Sequence, residues 1–262
     1  MPTSSDMQFF KYQGAGNDFI LFDNRTGSIH LSAAEIQKLC DRRFGIGADG
    51  LMLLNSHPEL DFEMKYFNAD GNPGSLCGNG SRCIVRFACD RGIEKKRYHF
   101  FASDGPHEAE LLVNGLISLK MNDLNRIEST ETDLFLDTGS PHVVKFVQDL
   151  EQYDVFGIGK AIRYDNRFSP GGTNVNFAQR TADPNALFVR TYERGVENET
   201  YSCGTGVTAC AIALAHLDRT SRETRIETKG GTLTVRFQTT DFQHFHDIHL
   251  IGPAEKVFEG TI

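Results

Sequence analysis

"SLCGNGSRC" at residues 75–83 and "SCGTGVTAC" at residues 202–210 decide how this chain is read. In each, a cysteine precedes Gly-x-Gly, and helical patterning follows. Cys77 and Cys203 are 203 − 77 = 126 residues apart in a chain of 262, almost half its length. Other pieces recur at nearly that offset. "GAGND" (14–18) faces "DTGSPH" (137–142), with Gly16 against Gly139 and 139 − 16 = 123. "GIGADG" (45–50) faces "GGTNVN" (171–176), with 171 − 45 = 126. Asn68 stands nine residues before Cys77, and Arg194 nine before Cys203. Four matches in one order at nearly one offset point to two halves on one plan.

The local patterns repeat in the same way. In the first half "FILFDN", "LMLLN", "FEMKYF", "YHFFA", "EAELLV" and "ISLKM" read as strands, with Phe62, Met64 and Tyr66 alternating against Glu63 and Lys65. "SAAEIQKLCDRRFG" (32–45) reads as a helix, opened by a Ser32/Glu35 capping box and presenting Ile36, Leu39 and Cys40. The second half gives strands near 133–137, 142–147, 173–178 and 186–193, a helix near 154–163, the second Cys-Gly-x-Gly helix, and then "RIETK", "TLTVRF" and "HDIHLI" as strands. "GVTACAIALAHLD" is apolar nearly all round, the mark of a buried helix. A buried helix among many short strands points to a sheet wrapped around it. The expected class is α/β (α+β): two pseudo-symmetric domains, each a mostly antiparallel, barrel-like sheet around a central helix. The polar stretch 122–133 marks the boundary, giving domains 1–124 and 125–252.

Bulk properties narrow the function. Net charge is 27 − 35 = −8, and without a long Lys/Arg run the chain is a poor binder of nucleic acid or anionic membrane. The most apolar stretch, "VTACAIALAHL" (207–217), is too short to span a bilayer, and "MPTSSDMQFFKYQ" carries no signal-peptide pattern. A cytoplasmic protein is expected. Six cysteines do not make a disulfide scaffold, and no Cys-x-x-Cys or zinc spacing is present, so no metal is expected.

The first N–H groups of a helix lack partners within it and carry positive partial charge, so they bind carboxylates. Glycines at 78 and 80, and at 204 and 206, let a ligand approach the backbone. A cysteine at such a turn is favoured as thiolate, its pKa falling from roughly 8.5 toward neutrality. With the halves face to face, two thiols would reach one small ligand from opposite sides. That arrangement suits inversion at a carbon bearing a weakly acidic hydrogen: one thiolate removes the proton, the other thiol delivers one to the opposite face. Neither a metal nor a pyridoxal cofactor is then required. Other readings stay open from these residues alone. A lone Cys-Gly-x-Gly is most often a structural turn, and Cys77 with Cys203 also reads as a redox-switch disulfide. Cys40, Cys83, Cys89 and Cys210 read as core packing. His142 reads equally as a group tuning a thiol or as a structural hydrogen-bonder.

"GAGNDF", "FGIGADG", "FNADG" with "CGNGSRC", "YERGVENET" and "SCGTGVTAC" together resemble the diaminopimelate epimerase family along essentially the whole chain. The resemblance implies a cofactor-independent, two-base epimerase of LL- and meso-diaminopimelate, on the route to lysine and peptidoglycan. It implies Cys77 and Cys203 as the acid/base pair. Gly78, Asn79, Gly204 and Thr205 would hold the reacting carboxylate through backbone N–H groups. Asn17, Asn68, Asn174, Glu193 and Arg194 would recognise the rest of the amino-acid substrate, with His142 and Glu193 supporting the thiols. It also implies a homodimer, and the return of the C-terminal segment, about 253–262, to the first domain. Three positions depart from the family pattern: Ser140 stands for asparagine in "GNPH", Gly50 for a frequent glutamine, and the "ERG" loop is one residue longer. The alternatives are a proline- or hydroxyproline-type racemase, which needs a smaller and less polar pocket, and a non-catalytic carboxylate-binding or thiol redox-sensing protein, which needs no paired motif.

Overall fold

The computed structural model describes residues 7–74, 77–130, 132–219 and 221–262. Ser75 and Leu76 of the opening motif, and Glu131 of the expected boundary, lie outside the described residues. The chain divides into two compact units, Met1–Leu119 with Pro253–Ile262, and Lys120–Gly252.

The first unit contains β1 (Gln8–Gly14), β2 (Asn17–Asp23), α1 (Ala33–Cys40), β3 (Gly50–Asn55), β4 (Phe62–Asn68), α2 (Gly78–Asp90), β5 (Arg97–Ala102), β6 (Gly105–Leu111) and β7 (Ile117–Lys120). The second contains β8 (Ile127–Ser129), β9 (Leu134–Asp137), β10 (Pro141–Phe146), α3 (Val155–Arg163), β11 (Asn174–Arg180), β12 (Ala186–Glu193), β13 (Asn198–Thr200), α4 (Gly204–Asp218), β14 (Glu223–Thr228), β15 (Gly231–Gln238) and β16 (His246–Gly252). The last strand, β17 (Glu255–Thr261), belongs to the first unit.

The pairing repeats strand for strand. From β1 to β6 the successive pairs are antiparallel, parallel, antiparallel, parallel and antiparallel, and β6–β7 is antiparallel. The series β9–β10–β11–β12–β14–β15–β16 has the same senses in the same order. β17 flanks β1 antiparallel, as β8 flanks β9. Each unit is therefore a mostly antiparallel sheet with a helix held inside its curve. α2 packs against β1, β2, β3, β6 and β17, and α4 against β9, β10, β11, β12, β14 and β15. Val207 to Ala215 are buried on every side of α4, which is why that helix is apolar all round. Each buried Ile or Leu there contributes about 1.5–3 kcal/mol relative to exposure.

α1 and α3 cover the outer faces. Ile36 and Cys40 of α1 join Phe9, Ile20, Phe22, Leu51 and Leu53, while Val155 of α3 joins Leu150, Val175, Phe177 and Tyr192. One local expectation is corrected. α1 begins on the expected Ser32/Glu35 box but stops at Cys40, short of Gly45. The Asp41 carboxylate accepts from the Arg43 and Phe44 amides, each at 2.7 Å, and so starts a turn in place of another helical turn. Within the polar stretch 122–133, Leu124 exchanges backbone hydrogen bonds with Phe245, and β8 is formed.

Candidate active site

Cys77 and Cys203 occupy one structural position twice. Each is the N-cap of the central helix of its unit, with φ/ψ of −112°/119° for Cys77 and −119°/114° for Cys203. Both stay outside the helix proper, and the first-turn amides of Gly78 and Asn79, or of Gly204 and Thr205, fall ahead of the helix's own i→i−4 ladder. All six cysteines are free thiols. Cys83 and Cys210, nearly two turns further on, are fully buried and their thiols are pushed up by that burial; burial also raises Cys40 to about 11. They are core packing as expected. Cys89 is only partly buried, which corrects its reading as core.

Around Cys77 the first unit builds a charged frame. The Gly80 amide donates to Cys77 Sγ at 3.5 Å, and the thiol donates to Asn17 Oδ1, also at 3.5 Å. Asn17 can present that oxygen because its Nδ2 is taken by Asp49 Oδ2 at 2.5 Å. Asp49 is paired with Arg42 at 2.7 Å, and Arg42 also grips Asp18 through two nitrogens. Buried Lys11 completes the set, 2.8 Å from Asp18. Burial alone would raise the Asp18 pKa, but hydrogen bonds and charge from Arg42 and Lys11 outweigh it and hold the carboxyl well below its usual range.

Arg82 lies beneath the same turn, fully buried. It donates to Asn79 Oδ1 at 2.8 Å, to the Gly78 carbonyl at 3.2 Å and to the Pro253 carbonyl at 3.3 Å. These acceptors are neutral, so its charge adds to the positive end of α2. Pro253 opens the segment that returns to this unit, which ties the C-terminus to the Cys77 turn. Asn68 is exposed at the end of β4, its backbone closing the turn to Asn72. Position 50, where the family often carries glutamine, has no room for a side chain: a Cβ there would meet the Phe67 carbonyl and the Tyr66 ring at 2.6 Å. Tyr66 fills that space.

The second unit gathers most of its expected residues into one network. Cys203 Sγ is 3.5 Å from Thr205 Oγ1, which is 2.9 Å from His142 Nε2 and 3.2 Å from Ser140 Oγ. Asn174 donates to Ser140 Oγ at 3.3 Å and to the Pro141 carbonyl at 3.0 Å, and its Oδ1 accepts from the Arg194 amide at 2.9 Å. Glu193 accepts from Thr200 Oγ1 at 2.9 Å. His142 is fully buried. Burial, with the charge of Arg194, lowers its pKa to about 3 against the opposing effect of Asn176, so the ring is neutral at physiological pH. The longer ERG loop is anchored by Glu197, which accepts from the Gly195 amide at 3.0 Å and Tyr164 at 3.0 Å and pairs with Arg163 at 3.0 Å. Among the described residues no group of three His, Cys, Asp or Glu is placed to hold a metal ion.

Sequence reasoning missed Asp49, Arg82 and Asn176. For Asp49 and Arg82 no local signal exists, since each matters through a partner distant in sequence. Asn176 had one: in "TNVN" it shares a strand face with Asn174, and a second amide on a buried strand needs partners.

A family model described as diaminopimelate epimerase matches residues 9–127 and 134–257. The diaminopimelate epimerase of Flavobacterium psychrophilum is 48% identical over 98% of this chain and 100% of its own length. That of Aquifex aeolicus is 38% identical over 98% of both chains. Solved structures share the fold at low identity. A PhzF-family phenazine biosynthesis protein of Bacillus anthracis superposes with a TM-score of 0.78 at 15% identity, covering 98% of this chain and 99% of its own. A hydroxyproline epimerase of Agrobacterium vitis gives 0.71 at 14%, covering 100% and 94%.

Proposed function

The chain belongs to the diaminopimelate epimerase family, and we propose that it interconverts LL- and meso-diaminopimelate without a cofactor, using Cys77 and Cys203 as its two bases. One observation carries this reading: each unit starts its central helix on a cysteine N-cap of matched backbone conformation. Inversion needs a base on one face of the α-carbon and an acid on the other. One thiolate takes the α-proton, and the C–H electron pair passes into the adjacent carboxylate. The other thiol then gives its proton to the opposite face, forming the new C–H bond. The sulfurs exchange roles for the reverse direction.

The first-turn amides, Gly78 and Asn79 with Gly204 and Thr205, stabilise charge developing on the reacting carboxylate. Asn17, Asn68, Asn174, Glu193 and Arg194 recognise the remainder of the substrate. Arg194 suits its distal carboxylate, and Glu193 an ammonium. His142 and Glu193 support the thiols. The two units serve as the two epimerase domains, and the enzyme acts in lysine and peptidoglycan synthesis. Six free thiols fit the reducing cytoplasm, and the family resemblance favours a homodimer.

Purified protein incubated with LL-diaminopimelate and a chelator should yield the meso isomer on chiral analysis, while L-proline is returned unchanged. Racemised proline with untouched diaminopimelate would transfer the chain to the proline-racemase reading. No turnover of either would leave it a binding protein.

A further inference from the structure

Asn176, fully buried on β11, has no part in the reaction as proposed above, yet its amide is held from three sides. Nδ2 donates to the Val143 carbonyl at 3.0 Å, and Oδ1 accepts from Thr191 Oγ1 at 3.0 Å. Turning the amide over would set its oxygen against the Val143 oxygen, two acceptors with no proton between them. The remaining Nδ2 hydrogen therefore points at His142 Nδ1, 3.0 Å away, and that nitrogen must accept. A neutral His142 then carries its proton on Nε2. Nε2 faces Thr205 Oγ1 at 2.9 Å and Ser140 Oγ at 3.0 Å. Ser140 Oγ accepts from Asn174 Nδ2, and its own hydrogen can go to Thr205 Oγ1 at 3.2 Å. With His142 and Ser140 both donating to Thr205 Oγ1, the threonine's own hydrogen goes to Cys203 Sγ at 3.5 Å.

We propose that Asn176 is a positioning residue for the epimerase: by fixing His142 as the Nε2–H tautomer, it turns the Thr205 hydroxyl donor-first toward Cys203 and favours the Cys203 thiolate. The inference rests on the role of Cys203 proposed above. Every donor in the series Asn176, His142, Thr205 points toward the sulfur, and the network transmits orientation without moving a proton. The surroundings keep it so. β9 and β11 oppose His142 with Leu136 and Asn174 in register, α4 supplies Thr205 and Cys203, and the turn after β12 supplies Arg194. The one charged group among these, Arg194, opposes protonation of the ring. Gly206 matters to the arrangement as well: a Cβ there would lie 2.3 Å from Asn176 Oδ1.

The test is made on the full-length protein without substrate. Long-range 1H–15N correlation of 15N-histidine-labelled protein should show His142 with Nε2 protonated and Nδ1 bare from pH 5 to 8. A proton on Nδ1, or a charged ring in that range, overturns the proposal without any variant being needed. Asn176→Asp presents a carboxylate that must accept from Nδ1–H, so Nε2 accepts from Thr205 and the hydroxyl turns away from Cys203. In a Cys77→Ala background at pH 8, iodoacetamide labelling of Cys203, followed by peptide mass, should slow about tenfold, the change in thiolate fraction for one unit of thiol pKa. Thr205→Val should slow it similarly, and the double variant no further. An unchanged rate in Asn176→Asp with Nδ1 protonated, or additive losses, also overturns it. These readouts need no turnover. Failure of diaminopimelate epimerisation in the wild-type chain would sink the proposed function and leave the tautomer result standing.

Discussion

His142 and Cys83 show how far burial alone separates residues of one chemical type. Cys83 follows Cys77 by six residues on the same helix, and burial raises its thiol out of use. His142 is lowered to about 3 from an ordinary 6.5 by burial, with Arg194 adding to it. The folded state therefore binds its proton less readily than the unfolded state. The contribution of neutral His142 to stability is fully present above about pH 6.5 and is lost as pH falls toward 3, at about 1.4 kcal/mol per pH unit within that window. In urea unfolding at pH 7 and pH 5, the wild-type chain should lose about 2 kcal/mol more than His142→Gln. Equal losses would mean that the ring is not held neutral. The cysteines and His142 were legible as candidates because their chemistry is written in their type. Arg82 was not, since an arginine on an amphipathic helix reads as surface, and only the fold shows it enclosed by carbonyls.

At the scale of elements, the two Gly-x-Gly turns look interchangeable in sequence but differ in what their second glycine touches. A Cβ at Gly80 meets the flexible end of Met52 at 2.6 Å, whereas at Gly206 it meets the pinned Asn176 amide at 2.3 Å. Helix propensity gains the same from Gly→Ala at both equivalent positions, so the difference reads the clash. Gly206→Ala should cost about 2 kcal/mol in chemical denaturation, and Gly80→Ala under about 1 kcal/mol. Equal costs would contradict the packing described. The strands with clear alternation and the two central helices were legible. β1, β8, β13 and β17 were not identified as strands. β8 and β13 span three residues each, and β17 is exposed over most of its length, so none of the three offers a buried face to produce a pattern. β1 is buried on both faces from Phe9 to Tyr12, so its residues do not alternate. α1 was overextended because its apolar period continues past Cys40, while its stop depends on the Asp41 side chain.

At the scale of the whole chain, the repeat at 126 residues was the most informative signal, and the strand pairing repeats in the same senses across both units. The return of the C-terminal segment came from family resemblance and not from pattern. Its physical reason is visible only in the fold: β17 supplies the first unit with the flanking strand that β8 supplies to the second, and Pro253 accepts from buried Arg82. The central claim is that one cysteine from each half carries a proton. Solvent deuterium exchange tests it most directly, with LL-diaminopimelate in D2O, a chelator present, and wild type compared with Cys77→Ala and Cys203→Ala. The wild type should form meso product carrying deuterium at the inverted carbon, and each variant should form none. Meso product at the wild-type rate from either alanine variant would contradict the account.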